Sequence, residues 1–424
     1  MSIMSEKLST DPYKGVRDFY PEDYAVQQYI FDTWAYTAES FGFERYDASV
    51  LEPADLYKAK GAENEEMVNE QTYTFTDRGD REVTLRPEMT PTVARMVAKK
   101  QKELAFPVRW YSIPNLFRYE RAQRGRLREH WQLNCDIFGS DDVSVDIEII
   151  ALAHQIFMNF GATEEMFTVR VNDRREMTAT YEQLGITDEE TQTAVMRLTD
   201  SYHKMDESDY RTMLVEITGN DAAADSLCAL MKNEDGHDTN PVVEGLRALG
   251  ISNVMIDRTI ARGFNYYTDT VFEFTDNHPE NNRALLGGGR YDNLTGLFSN
   301  DAVPGIGFGF GDVTMKDFLL SHELMSTNIT SPTLMVIPMD ATLNIEGQKL
   351  AQNFRQAGFS VATDVSTRKV PKKLNAAGEA MVDYAIVLGE NEVESSTYTL
   401  KNLTDSTEHS GTLETLIDQL TNNG

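Results

Sequence analysis

Apolar side chains recur at every fourth position between residues 22 and 41, at Val26, Ile30, Trp34 and Ala38, with polar residues between them. That spacing predicts an amphipathic helix. Pro21 and the pair Glu22–Asp23 suit its start, and Gly42 suits its end. A strand is expected around Arg45–Leu51. From about residue 71 to 140 the period shortens to two, and TYTFTD, EVTLRP, VRWYSI, NLFRYE and HWQLNCDIFG read as strands. Two helices interrupt or follow them. Thr90–Lys102 has Pro91 in its first turn, and Ser144–Phe160 has Ser144 placed as an N-cap. The pattern predicts an α+β fold, an antiparallel sheet flanked by helices.

Residues 170–250 lose the strand pattern, and stretches such as Asp188–Met205 and Asp221–Lys232 predict a mainly helical insertion. Strands return at Tyr266–Phe274 and Pro304–Gly311. The polar stretch 326–332 reads as a linker. After it LMVIPM, SVATDV and YAIVLG alternate with helical patterns at Thr342–Ala357 and Pro371–Met381. That alternation predicts a small C-terminal α/β domain with a parallel sheet. The expected division is therefore a domain over 1–325, a linker over 326–332 and a domain over 333–424.

The length of 424 residues suits two or three domains. Hydrophobic residues make up 41%, which excludes a disordered chain. Cys135 and Cys228 are the two cysteines, too few for a disulfide framework or a cysteine zinc site, and they fit a reducing compartment. No apolar run is long enough to span a membrane, and the opening MSIMSEKLSTDPYKG resembles no export signal. A cytoplasmic protein with no membrane contact is expected. The net charge of −29 argues against coating nucleic acid non-specifically, but leaves open docking one RNA through a local basic patch. The seven histidines are scattered and form no HExxH, so no protein-bound metal is expected.

Candidate chemistry concentrates in Asn115–Gly139, two strand patterns flanking a polar tip with Gly125. On the return strand Leu133, Cys135 and Ile137 face one way, and Gln132, Asn134 and Asp136 the other. Arg118 and Glu120 share one face of the outgoing strand. A solvated sheet face would carry such residues too. Five arginines between 118 and 128 in so acidic a chain instead suit a polyphosphate, whose oxygens match the guanidinium fork. Arg86 and Glu88 bracket a proline before a helix, where Glu88 either favours the helix dipole or holds a ligand ammonium. Arg262–Gly263 precedes a strand, the position of either a ligand arginine or a paired loop arginine. Gly287–Gly288–Gly289 asks for close backbone packing or a turn. Gly305, Gly307, Gly309 and Gly311 leave one strand face bare, a platform for an adenine ring or for a packed helix. No GxxxxGK[ST] occurs, so a P-loop is excluded.

These stretches, in this order, resemble a class II aminoacyl-tRNA synthetase of the histidyl-tRNA synthetase family. GVRDFYPED, TLRPEMT, FRYERAQRGRLREHWQLNCDIFG, ARGFNYYTDTVFEF and GGGRYDNL carry the resemblance, and residues 333–424 resemble the family's anticodon-binding domain. It implies ATP-dependent joining of L-histidine to tRNA(His) through a histidyl-adenylate, with Mg²⁺ arriving on ATP, by a homodimer. It implies Arg118 and Arg262 at the α-phosphate. Glu88, Met89, Thr90, Gln132, Asp136, Tyr266 and Tyr267 would hold histidine, Asp136 standing where the family often has Glu. Arg118, Glu120, Arg121, Gly307, Gly309, Gly311 and Arg290 would meet ATP. The basic residues Arg121, Arg124, Arg126 and Arg128 would face the tRNA acceptor end. Arg368, Lys369, Lys372 and Lys373 would face the anticodon stem, unless they form a solvated helix face. Three positions depart from the family pattern: Ser49 for a proline, Asn265 for Asp, and Thr314 for an arginine that stacks on ATP. Either Arg290 serves the phosphate tail instead or ATP binding is weakened. The alternative reading is a histidine-sensing regulatory subunit of ATP phosphoribosyltransferase. Such paralogues typically lack the C-terminal domain that this chain has. An RNA-binding scaffold would need no polar pocket.

Overall fold

In the computed structural model, which describes residues 8–58, 71–121, 125–232, 239–260, 266–281, 283–325 and 332–423, the chain divides into two units, Met1–Thr327 and Asn328–Gly424. The expected linker residues 326–331 lie outside the described residues.

The first unit opens with α1 (Pro21–Ser40), which buries Ile30, Trp34 and Ala38 as its spacing predicts. Short strands β1 (Glu44–Arg45) and β2 (Leu51–Pro53) replace the single strand expected at 45–51. Then follow α2 (Asp55–Lys58), β3 (Tyr73–Thr76), β4 (Glu82–Leu85), α3 (Thr90–Lys100), β5 (Val108–Ser112), β6 (Asn115–Phe117) and β7 (Glu129–Phe138). Helix α4 (Val143–Asn159) is capped by Asp142, whose carboxylate accepts from Ser144 N at 2.8 Å, not by Ser144 as the sequence suggests. An aspartate N-cap satisfies an otherwise orphaned amide and adds charge at the positive end of the dipole.

Strand β8 (Phe167–Asp173) leads into α5 (Arg174–Gln183), α6 (Glu189–Thr199), α7 (Glu207–Thr218) and α8 (Asp221–Met231). Helices α5–α8 have their own core around Tyr181, Val195, Tyr210, Leu214 and Leu227. Helix α9 (Pro241–Ala248) and β9 (Val254–Ile256) return to the main body, and β10 starts only at Thr270 (Thr270–Asp276), four residues after Tyr266. Strands β11 (Ala284–Arg290) and β12 (Gly305–Gly311) and helix α10 (Asp312–Ser321) complete the unit.

The main sheet runs β1-β5-β7-β12-β11-β10-β8-β9, with β6 paired to β7. Its centre is antiparallel, and its two edge pairings, β1 with β5 and β8 with β9, are parallel. One face is sealed by α1, α4 and α10. Leu133, Cys135 and Ile137 of β7 and Ile306, Phe308 and Phe310 of β12 point into that core. The period-two alternation thus delivers Gln132, Asn134 and Asp136 to the opposite face, as expected. A separate small sheet, β2-β4-β3, lies beside it.

The second unit holds β13 (Leu334–Pro338), α11 (Asn344–Gln356), β14 (Val361–Thr363), α12 (Val370–Glu379), β15 (Tyr384–Leu388), α13 (Glu390–Ser395), β16 (Tyr398–Asn402), β17 (Glu408–Gly411) and α14 (Leu413–Asn423). Only β14-β13-β15 are parallel, and β16 and β17 extend the sheet antiparallel. The connection from β15 to β16 holds only the six-residue α13, too short for a parallel crossover, so β16 turns back antiparallel. Among the described residues no helix is long and apolar enough to cross a membrane.

Candidate active site

A cavity of about 480 Å³ opens on the uncovered face of the main sheet. Its floor is the bare strip Gly307–Gly309–Gly311, paired with Asp136, Asn134 and Gln132 of β7. Glycine is required at 307, and a side chain at 309 would have to displace Gln132. A Cβ on Gly309 would lie 1.9 Å from Gln132 Nε2, and one on Gly307 would lie 2.2 Å from Asp136 Oδ1 and 2.6 Å from the Cys135 carbonyl. The Gln132 amide can swing aside, whereas the Cys135 carbonyl is strand backbone, so it is Gly307 that keeps this part of the floor bare.

The walls bring together Glu88, Thr90, Arg118, Glu120, Arg126, Gln132, Tyr266 and Tyr267. Arg118 is pinned: its Nε donates to the Pro87 carbonyl at 2.8 Å, which fixes the guanidinium plane toward the cavity. Its Nη1 lies 3.9 Å from Glu120 Oε1, and Arg126 Nη1 lies 3.6 Å from Glu120 Oε2. Glu88 is buried at the start of α3, where Tyr57 Oη donates to its carbonyl at 3.2 Å. Arg86, beside it, is a staple and not a wall residue. It donates to the carbonyls of Ala48 at 2.8 Å and Asn115 at 3.0 Å.

Asp136 stands on the same sheet face as the floor glycines, against Gly307, but is not itself in the lining. Tyr291 donates its hydroxyl to Oδ1, while Oδ2 is buried with no partner among the described residues. Burial pushes this carboxyl up to about 7, against the lowering effect of the tyrosine. Asn134 Oδ1 is likewise buried and unpartnered. Two unsatisfied acceptors on the cavity side of the sheet suit a ligand that brings N–H donors.

His130, Asn134 and Tyr291 line the cavity, although none of the three is among the site residues that the sequence leads one to expect. His130 shares the parity of Gln132 and Asn134 on β7, and that parity is the signal that identifies it. Burial, with Arg118 and Arg17 nearby, holds its imidazole down to about 3, so it is an uncharged flat ring at neutral pH.

Several expected residues stand elsewhere. Met89 is fully buried in the body of the unit and Arg121 is exposed outside the lining. Arg262 and Arg124 lie outside the described residues. Arg128 does not reach out to a partner: it stacks over Tyr119 at 4.1 Å and donates to the Glu120 carbonyl at 3.1 Å. Arg290 cannot serve a phosphate tail. It is 2% exposed, and its Nε donates to Asp146 at 3.1 Å and its Nη1 to the Ser140 carbonyl at 2.9 Å. Burial raises Asp146 to about 6 even against that cation. Arg290→Met is therefore expected to cost about 3–5 kcal/mol of stability by stranding a buried carboxylate. Removing the cation raises the Asp146 value further, so the loss should be larger at pH 8 than at pH 6. Urea melts at the two pH values check this.

In the second unit Lys373 is also buried, with Nζ donating to the carbonyls of Pro338 at 2.9 Å and Asp364 at 3.0 Å. It closes strand ends and is not a surface cation. Arg368 is exposed but paired with Asp364 at 3.0 Å, while Lys369 and Lys372 are exposed. Among the described residues no group of three or more His, Cys, Asp or Glu is placed to hold a metal.

A model of the histidyl-tRNA synthetase family matches residues 15–311, and a model of the anticodon-binding domain matches residues 333–423. The chain is 40% identical over 418 residues to a Leptospira biflexa protein named histidine–tRNA ligase, with 95% of each chain covered. It is 36% identical over 427 residues to a Thermoplasma volcanium protein of the same name, covering 97% of this chain and 98% of that one. Its fold superposes on histidyl-tRNA synthetase structures from Nostoc sp. PCC 7120 with a TM-score of 0.78 at 22% identity, covering 99% of this chain and 100% of that chain. With that from S. aureus the score is 0.72 at 24% identity, covering 97% and 99%.

Proposed function

The chain belongs to the histidyl-tRNA synthetase family, and we propose that it joins L-histidine to tRNA(His) at the expense of ATP in the cavity built on β7 and β12. The observation that carries the reading is the pinned Arg118 beside a pocket with unsatisfied acceptors at Asp136 and Asn134. The regulatory-subunit alternative is not favoured, because relatives named as the ligase cover 95% or more of the chain and the second unit matches an anticodon-binding domain.

The reaction follows from the groups present. The histidine carboxylate attacks the α-phosphorus of ATP, the bond to the bridging oxygen breaks, and pyrophosphate leaves. Negative charge grows on the α-phosphate oxygens, where the preset Arg118 fork meets it without reorganising. Arg262 would meet the same phosphate from its other side, as the family resemblance implies. Glu88, Thr90, Gln132, Tyr266 and Tyr267 hold the histidine, and Glu88 faces its ammonium. Glu120 and the glycine floor take the adenosine. Mg²⁺ enters with ATP as part of the substrate. A ribose hydroxyl of the tRNA 3′ adenosine then attacks the acyl carbon and AMP leaves.

Asp136 with Tyr291 reads the imidazole. An ionised carboxylate accepts the imidazole N–H, so histidine should drive off the proton that burial holds on Asp136. Binding at pH 7 is expected to release about half a proton, and none in Asp136→Asn. Calorimetry in buffers of different ionisation enthalpy measures it. Release that persists in the variant would reassign the proton.

We assign the homodimer face to the β2-β4-β3 sheet. Leu51, Pro53, Phe75, Val83 and Leu85 share one of its sides by register, with Leu51 and Phe75 nearly half exposed. The two cysteines are buried and unpaired, which supports a cytoplasmic location. The tRNA assignment in the second unit falls on Lys369 and Lys372. Lys369→Glu/Lys372→Glu should raise KM for tRNA(His) about 10-fold or more while leaving ATP–pyrophosphate exchange unchanged. Charging kinetics with unaltered tRNA dependence would remove those lysines from the tRNA surface.

A further inference from the structure

The described lining of the cavity carries no net positive charge to set against a triphosphate. Its described lining contains two arginines, Arg118 and Arg126, against two glutamates, Glu88 and Glu120, and the formal charges cancel. His130 adds none. A triphosphate brings several negative charges into this space, and each needs a donor or a cation. Position 314 supplies neither. The Thr314 hydroxyl is turned back onto the sheet end, donating to the carbonyls of Leu285 at 2.9 Å and Gly311 at 3.0 Å. Arg290 is committed to Asp146 beneath the sheet.

Among the described residues a further guanidinium stands at the mouth. Arg283 is exposed and immediately precedes Ala284, Leu285, Leu286 and Gly287, which form one wall. Its Nη1 lies 3.0 Å from where a Cβ on Gly125 would be, and Gly125 is itself a lining residue at the hairpin tip. The guanidinium thus spans from the start of β11 to the hairpin, beside Arg126.

The turn that presents Arg283 is built, not loose. Asp276 has a fully buried side chain. Its Oδ2 accepts from Asn281 Nδ2 at 2.6 Å, its Oδ1 accepts from His278 N at 2.8 Å, and Oδ1 is 2.7 Å from His322 Nε2. Both backbone groups of Arg283 are tied to the same turn. Its N donates to the Asn281 carbonyl at 2.7 Å, and its carbonyl accepts from Asp276 N at 3.1 Å. The register shift between Phe274 and Thr275, where β10 meets β11, aims the strand start. A bulge and a buried carboxylate that fix an exposed arginine at a cavity mouth are a positioning device.

We propose that Arg283, together with Arg126, clamps the phosphate tail of ATP and takes the place of the cation that Thr314 does not provide. The assignment rests on the reading of this cavity as an ATP site. The fork binds phosphate oxygens in the ground state and the transition state alike, so it acts on ATP affinity more than on the chemical step.

The experiment uses the full chain and two separate readouts. Calorimetry with α,β-methylene ATP and Mg²⁺ reads the Arg283 assignment, and exchange by the unaltered protein reads the function. Arg283→Ala should weaken nucleotide binding about 10- to 100-fold, the effect of losing a charge-assisted fork. Histidine affinity and Tm should stay unchanged. Adding Thr314→Arg to that variant places a guanidinium on the cavity wall and should restore most of the nucleotide affinity. Unchanged nucleotide affinity in Arg283→Ala overturns the proposal. So does a parallel loss of nucleotide binding, histidine binding and Tm, which would make Arg283 a part of the fold. Absence of exchange in the unaltered protein, with nucleotide binding that still depends on Arg283, would overturn the ligase reading and leave the clamp standing.

Discussion

Arg118→Ala is expected to slow histidyl-adenylate formation by about 10²–10³-fold at saturating ATP and histidine, the loss typical of removing one preorganised donor from developing charge. Tm should move by only a few degrees, because Arg118 is half-buried and its one pinned bond is to the Pro87 carbonyl. That same bond makes lysine a poor substitute. An ammonium has no second nitrogen to hold Pro87 while two others face a phosphate, so Arg118→Lys should recover less than a tenth of the lost rate. Rapid-quench measurement of adenylate in a single turnover separates the chemical step from product release. A variant that raised KM for ATP and kept its single-turnover rate would place Arg118 in binding alone.

Gly307→Ala is expected to abolish measurable histidine binding. The added methyl would lie 2.2 Å from Asp136 Oδ1, 2.6 Å from the Cys135 carbonyl and 2.8 Å from Tyr291 Oη. The carbonyl belongs to the centre of β7 and cannot move without opening the β7–β12 ladder. Relief must come from Asp136 and Tyr291, the pair assigned to the imidazole. Overpacking of this kind costs about 1–3 kcal/mol of stability, so the variant should fold and fail. Gly311→Ala is the control, since its methyl would meet only Thr314 Oγ1, at 3.5 Å. Histidine titrations of both variants by calorimetry decide it. Normal binding by Gly307→Ala would show that the imidazole lies elsewhere.

What was legible in the sequence had a short period. Leu133, Cys135 and Ile137 against Gln132, Asn134 and Asp136 is a two-residue alternation, and the sheet places the two sets on opposite faces. The glycines of β12 share that parity, so the bare floor was readable as well. Charge was not readable in this way. Arg290 and Lys373 look like available cations in the chain. Their partners, Asp146 and the Pro338 carbonyl, are 144 and 35 residues away, and only the fold brings them together. Arg283 shows the converse. Nothing local marks it, because its place is set by Asp276, His322 and the tip of a hairpin more than 150 residues earlier. The capping of α4 by Asp142 in place of Ser144 shows that neighbouring residues with the same capping chemistry cannot be ranked by composition.

The central claim is adenylation of histidine in this cavity. ATP–pyrophosphate exchange, run with each of the twenty amino acids in Mg²⁺ beside the Arg118→Ala variant, tests it most directly. Exchange with histidine alone is expected, reduced at least about 100-fold in the variant. Exchange driven by another amino acid, or histidine-dependent exchange that the variant keeps in full, would contradict it.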